Sequence, residues 1–348
     1  MESKYNIYIS LTLLYRGGCS VVWLCIDSNG NEYAAKQISK KPKPSENALQ
    51  IHVSHYSQMA KREIQIMKHI STLSQSYPIL QSMITFHESY EDNNDIWLIC
   101  EKGGRSLSNL CLKIKGEFIN SERIYTIQKG KFLQKLISDL SQFKHFIKHI
   151  LEFLSILSSH KIVHSDIKPD NILIEYDWKT FEIKQIKIID FGSAYFLDNP
   201  INFASNTPEY TSPEITKHLE KGSTSKETKM FLSKLMEYPW CVDIWSFGVA
   251  LLEIVLACPL WMSYKAKVVI RGKAIFKTGL FGVKCRDGGK IHAKQLEISK
   301  SVSKLLNECL IDDVKEREMF GDLLSKMLEI DYKKRISPQD ALKHPFLK

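Results

Sequence analysis

One short run carries three side chains of the kinds that phosphoryl transfer needs: Asp166, Lys168 and Asn171, in Val163-His164-Ser165-Asp166-Ile167-Lys168-Pro169-Asp170-Asn171. Moving a phosphoryl group onto a hydroxyl calls for a carboxylate that orients the nucleophile and accepts its proton, a cation beside the migrating group, and an amide able to bind a metal. The three residues supply these in order. Downstream of the apolar stretch 183–189 stands Asp190-Phe191-Gly192, where a carboxylate at a strand end would hold Mg2+ against phosphates and glycine lets the chain turn sharply. Either run alone reads equally well as a polar turn. Their order, with a strand between them, favours the chemical reading.

The elements that must position these groups change character near residue 100. Before it, β-rich stretches over 20–27 and 32–38 flank the turn Ser28-Asn29-Gly30-Asn31 and predict a hairpin, and 95–101 predicts a further strand. Between them, 58–73 places Ile64, Met67 and Ile70 at helical spacing, so one helix interrupts the sheet. After residue 101 the apolar periodicity is helical over 132–157, 242–256 and 322–330. The expectation is a small sheet-rich lobe, 1–101, joined to a larger, mainly helical lobe, 102–348. The stretches 40–44 and 221–229 read as mobile surface loops, and 264–295 as a long turn-rich segment.

Composition bounds the reading. The 348 residues are 44% hydrophobic and 25% charged, enough for one large domain or two modest ones. Residues 1–10 lack the layout of a signal peptide, and the longest apolar run, Trp245 to Trp261, carries Glu253 and is shorter than the ~20 residues of a membrane span. The 8 cysteines include no C-x-x-C pair or zinc-type spacing, so free thiols in an intracellular compartment, cytoplasmic or nuclear, are expected. The net charge of +9 is spread among 39 acidic residues with no basic-aromatic stripe, which speaks for a solvated surface and against nucleic acid as partner.

At this point the sequence resembles the eukaryotic protein kinase family over nearly its whole length. The H-R-D-L-x-x-x-N catalytic loop of that family appears here as His164-Ser165-Asp166 with Asn171, and its D-F-G as Asp190-Phe191-Gly192. Its A-P-E stands here as Ser212-Pro213-Glu214, with Arg335 as the expected partner of Glu214, and its Asp-x-Trp-Ser-x-Gly helix as Asp243 to Gly248. The resemblance implies an α+β, bilobal fold: an antiparallel-sheet N-lobe with one helix and a mainly helical C-lobe. It also implies ATP and Mg2+ as cofactors, with Asp166 and Lys168 catalytic and Asn171 and Asp190 holding the metal.

In the small lobe, Ala34-Ala35-Lys36 stands at the V-A-I-K position, and Glu63 is the implied partner that aims Lys36 at the phosphates. The glycine-rich loop is a looser match: Gly17, Gly18 and Ser20 occupy it, Tyr15 and Ser20 replace glycines, and both should stiffen the cover over the nucleotide. Val22, Ala34 and Leu173 are expected to sandwich adenine, Glu101 and Gly103 to present hinge backbone, and Cys100 to be a buried, inert gatekeeper. Met67, Phe86, Phe191 and His164 are expected to form an apolar spine, with Asp243 holding the His164 backbone. The excess length near 39–58, 112–140 and 216–240 is assigned to surface loops.

Lys168-Pro169 and Thr207 resemble serine/threonine kinases, so the expected partner is a protein substrate with a Ser or Thr acceptor; no regulatory partner is identified. Ser165 stands where many relatives carry an arginine that binds a phosphorylated activation segment, and 190–214 contains no Lys or Arg. The segment is therefore expected to be ordered by packing, with Phe196, Leu197, Ile201 and Phe203 as anchors. Two rival readings remain. A pseudokinase scaffold is motivated by Tyr15, Ser20 and Ser165, and release of ADP separates it from an enzyme. A polyanion-binding protein is motivated by the charge, and retention on heparin tests it.

Overall fold

The computed structural model describes residues 8–17, 20–40, 51–119, 122–198, 207–221, 224–258, 265–270, 273–278, 288–307 and 309–348. The chain divides into two compact units. The first comprises Met1–Gly104, Leu173–Glu175 and Gln185–Ala194, and the second Arg105–Ile172, Tyr176–Lys184 and Tyr195–Lys348.

The first unit is built on an antiparallel sheet of β1 (Ile9–Arg16), β2 (Ser20–Ile26), β3 (Glu32–Ser39), β4 (Phe86–Glu91) and β5 (Asp95–Glu101), in the order β1-β2-β3-β5-β4. The β2–β3 turn forms as expected. The Asp27 carboxylate accepts from the backbone N–H of Asn29 and Asn31 at 2.8 and 2.9 Å, and Gly30 takes the left-handed φ of 81° that glycine tolerates best. Period-2 alternation then sorts the faces. One face carries the core of Cys25, Ala35, Trp97 and Ile99 with Tyr8 packed on it. Cross-strand register puts Val22 opposite Lys36, and Ala34 and Phe86 opposite Cys100, all on the other face.

Helix α1 runs Ile51–Leu73, seven residues further toward its start than apolar periodicity alone indicates, because residues 51–57 hold no glycine or proline to stop it. Its inward stripe is Glu63, Ile66, Met67 and Ile70, all at most 3% exposed, so a carboxylate sits in an otherwise apolar face.

The second unit is mainly helical around Cys241–Leu256, every residue of which is buried. The stretch expected as one helical run over 132–157 is two helices, Lys131–Ser138 and Leu140–Ser159. Asp139 leaves helical geometry between them and caps the second, accepting from Gln142 N at 3.1 Å.

The loop expectations are corrected in five stretches: 51–58 of the stretch 39–58 belongs to α1, Pro213–Glu220 and Ser225–Leu235 make most of 216–240 helical, and the other three are as follows. Residues 112–140 and 264–295 contribute a sheet: hairpin Leu112–Ile119/Glu122–Lys129 joins hairpin Lys265–Ile270/Lys273–Thr278 by parallel pairing of Glu122–Lys129 with Lys265–Ile270, and Gly288–Leu306 is a helix. Within 221–229, Ser225 begins the helix Ser225–Leu235, which is started by a capping box between Thr224 and Glu227. Residues 41–44 lie outside those described. The two units thus give the α+β class, one an antiparallel sheet with a helix and the other mainly helical. Among the described residues no helix is long and apolar enough to cross a membrane.

Candidate active site

In the first unit, β3 delivers Lys36 and α1 delivers Glu63 to the same point. The Lys36 ammonium donates to Glu63 Oε1 and Oε2 at 2.7 and 2.9 Å and to Asp190 Oδ1 at 2.6 Å. Burial alone would push this ammonium down, but the Asp190 and Glu63 carboxylates outweigh it and hold Lys36 above its ordinary value. Glu63, also buried, is raised by desolvation and by Asp190 against the pull of Lys36. The cation is thus fixed in place and in charge, and the Asp190 side chain beside it is 42% exposed. Asp190 itself sits at φ 65°, a left-handed conformation uncommon for a non-glycine residue and frequent at functional sites.

Val22, Ala34 and Cys100 line the same sheet face as Lys36. Burial pushes the Cys100 thiol up to about 12, which leaves it protonated and inert. Past β5, Gly103 packs so closely on Leu173 that a Cβ there would stand 2.4 Å from Leu173 Cδ1. Only glycine fits there without displacing the leucine. Gly17 N donates to Ser20 O at 2.9 Å, closing the start of the β1–β2 connection; Gly18 lies outside the described residues. Met67 and Phe191 are buried in this unit and Phe86 is half-buried.

In the second unit, Asp166 is 5% exposed and both its oxygens are engaged. Oδ2 accepts from Lys168 Nζ at 2.7 Å and Asn171 Nδ2 at 3.0 Å, while Oδ1 accepts from the Thr207 hydroxyl at 2.7 Å. Lys168 also reaches Thr207 Oγ1 at 2.5 Å. Asn171 spends its amide N–H groups on the Asp166 side chain and carbonyl, which leaves its amide oxygen as the atom suited to a hard cation. Among the described residues no group of three or more His, Cys, Asp and Glu side chains converges as a metal site.

Asp243, in the first turn of Cys241–Leu256, accepts from the backbone N–H of His164 and Ser165 at 2.8 Å each. This holds Ser165 at φ 69° and so fixes the entry to the catalytic run. Burial raises the Asp243 carboxyl against those hydrogen bonds. The segment after Thr207 is held by buried side chains. Arg335 donates to Glu214 Oε1 and Oε2 at 2.7 and 3.0 Å, as the sequence leads one to expect.

Two further anchors carry no motif. The Tyr210 hydroxyl donates to Glu253 at 2.5 Å, and Gln295 Nε2 donates to Thr211 O at 2.6 Å. A lone Glu253 inside an apolar helix was the only available signal for the first; nothing marked Gln295. Of the four packing anchors expected in the segment, Leu197 is buried and Phe196 half-buried, whereas Ile201 and Phe203 lie outside the described residues.

The family model described as a protein kinase domain matches residues 8–347. The chain belongs to the protein kinase family. It is 24% identical to the human dual specificity protein kinase CLK1 over 99% of this chain and 66% of that one. It is 26% identical to human death-associated protein kinase 2, over 95% and 69%, and 25% identical to calcium-dependent protein kinase 32 of Arabidopsis thaliana, over 100% and 49%. The chain therefore spans about half to two thirds of the length of these relatives. A crystal structure of a kinase domain matches in fold with a TM-score of 0.57 at 20% identity, covering 98% of this chain and 95% of that one.

Proposed function

We propose that this kinase-family chain transfers the γ-phosphoryl group of MgATP to Ser or Thr hydroxyls of protein substrates, with Asp166 as the base. The observation that carries the reading is the Asp166 oxygen that already accepts a hydrogen bond from an aliphatic alcohol, Thr207 Oγ1, at 2.7 Å. An acceptor hydroxyl asks for the same contact: a carboxylate that aligns the lone pair and takes the proton as the new P–O bond forms. Lys168 Nζ, bonded to Asp166 and to that hydroxyl, would offset charge gathering on the phosphoryl oxygens. In the first unit Lys36, braced by Glu63, would hold nucleotide phosphates, while Val22, Ala34 and Leu173 offer apolar surface to the base and Gly103 keeps the backbone beside Leu173 uncovered.

Asp190 in the first unit and the Asn171 amide oxygen in the second would each offer an oxygen to Mg2+, which when bound would neutralise phosphate charge. The buried thiols Cys25, Cys111 and Cys241, none of them in a disulfide, fit a reducing compartment, cytoplasmic or nuclear. The reading assigns the ATP-binding sheet and helix to 1–101 and the catalytic loop, activation segment and substrate binding to 102–348, with Gly103, Leu173 and Asp190 contributed to the first compact unit from beyond residue 101.

A pseudokinase would not need Lys36, Glu63, Asp166, Asn171 and Asp190 together, and the first three of these are engaged in the charge contacts the reaction requires. The test is incubation of the purified chain with MgATP and an arrayed peptide library, read by mass spectrometry. Phosphoserine and phosphothreonine are expected. ADP formation without phosphopeptide, or neither product, would reject the proposal.

A further inference from the structure

Lys187 is 6% exposed and takes no part in the chemistry above. A buried lysine is costly unless its charge is met, so what meets it is informative. Its ammonium ion-pairs with Glu101 Oε1 and donates to Gln81 O at 2.9 Å. Glu101 Oε1 also accepts from the backbone N–H of Thr85 at 3.0 Å, and Glu101 N donates to Thr85 O at 2.9 Å. One carboxylate therefore ties the end of β5 to the chain entering β4 and, through Lys187, to the 3-10 turn Pro78–Ser82.

The position of Lys187 makes this more than a brace. It lies three residues before Asp190 on Ile183–Ile188, a sheet strand that is also tied to the chain before β4 by Ile84 N to Ile188 O at 3.0 Å. Glu101 is the last residue of β5, two residues before Gly103. The Lys187–Glu101 pair thus joins the strand that presents Asp190 to the backbone expected to receive the adenine.

We infer that Lys187 and Glu101 form a positioning pair that holds the adenine-receiving backbone in register with the strand bearing Asp190, and so sets nucleotide affinity. The inference rests on the ATP-binding reading of this unit. Neither side chain is asked to touch nucleotide. If loss of the pair leaves that backbone in register about one tenth of the time, the apparent dissociation constant rises about ten-fold, because a site competent for a fraction of the time binds weaker by that fraction. A role limited to general stability would lower the melting temperature and leave the affinity of the folded protein alone.

The experiment is calorimetric titration of the full chain with MgADP, with steady-state kinetics in ATP alongside. Lys187→Met keeps the length and removes the charge, and it should weaken MgADP binding and raise KM for ATP by about ten-fold, with kcat at saturating ATP within about two-fold. Lys187→Arg should recover most of the affinity. Glu101→Gln, at a side chain 29% exposed, tests the same pair from its more tolerant end and should weaken MgADP similarly, which covers the case of a Met variant that does not fold. A folded Lys187→Met or Glu101→Gln protein with parental affinity would overturn the inference alone. A parent chain that binds no MgADP would overturn the ATP-binding reading and the inference with it.

Discussion

Arg335 offers the sharpest stability prediction, because its environment leaves little room for solvent to compensate. Its side chain is 0% exposed and that of Glu214 is 5% exposed. Its guanidinium serves both Glu214 oxygens and the carbonyls of Cys241 and Glu329, at 2.6 and 2.9 Å, and its carbon lies 5.1 Å from the Trp245 ring centroid. Arg335→Met preserves volume and strands a buried carboxylate. Removing one member of such a pair costs about 3–5 kcal/mol. For a unit of this size, about 2–4 °C of melting temperature is lost per kcal/mol, so a fall of roughly 6–20 °C is expected by circular dichroism. The double variant Arg335→Met/Glu214→Leu should recover at least half of the loss, since no unpaired charge remains. A single-variant loss under about 1 kcal/mol, or a double variant whose loss is the sum of the singles, would refute the reasoning.

Two further outcomes follow from other contacts. Burial, and then the neighbouring His145, push the His149 imidazole down from 6.5 to about 4, so the unfolded chain binds the extra proton first. Stability should be intact above pH 6.5 and fall as pH drops toward 4, by no more than about 2 kcal/mol after solvent screening; His149→Gln should flatten that part of a urea-midpoint profile. Tyr210–Glu253, Thr211–Gln295 and Glu214–Arg335 hold the end of the activation segment with no phosphate, and Ser165 offers no cation to one. Phosphatase-treated enzyme, with the segment verified bare by mass spectrometry, should keep its turnover; a ten-fold fall reversed by rephosphorylation would contradict this.

What the sequence made legible follows physical rules about range. The β2–β3 hairpin was readable because an Asp/Asn/Gly turn and period-2 alternation are local signals. The Asp166 run and Asp190 were readable because their chemistry demands particular side chains at close spacing. The sheet of 112–129 and 265–278 was not, because lysine-rich strands hide their alternation and the parallel pairing joins segments far apart in the chain. Lys187 looked like any strand lysine. Its burial depends on Glu101 and Gln81, and no local pattern reports partners so distant. Asp139 could have been caught as a helix-starting residue inside the long apolar run.

The central claim is that Asp166 acts on the acceptor hydroxyl, and Asp166→Asn tests it most directly. Asparagine keeps the size and one oxygen, so Lys168, Asn171 and Thr207 retain a partner while the proton acceptor is lost. Phosphopeptide formation at saturating MgATP should fall by roughly 10²–10⁴-fold, with MgADP affinity within two-fold of the parent. An Asp166→Asn protein that turned over at the parental rate would contradict the account.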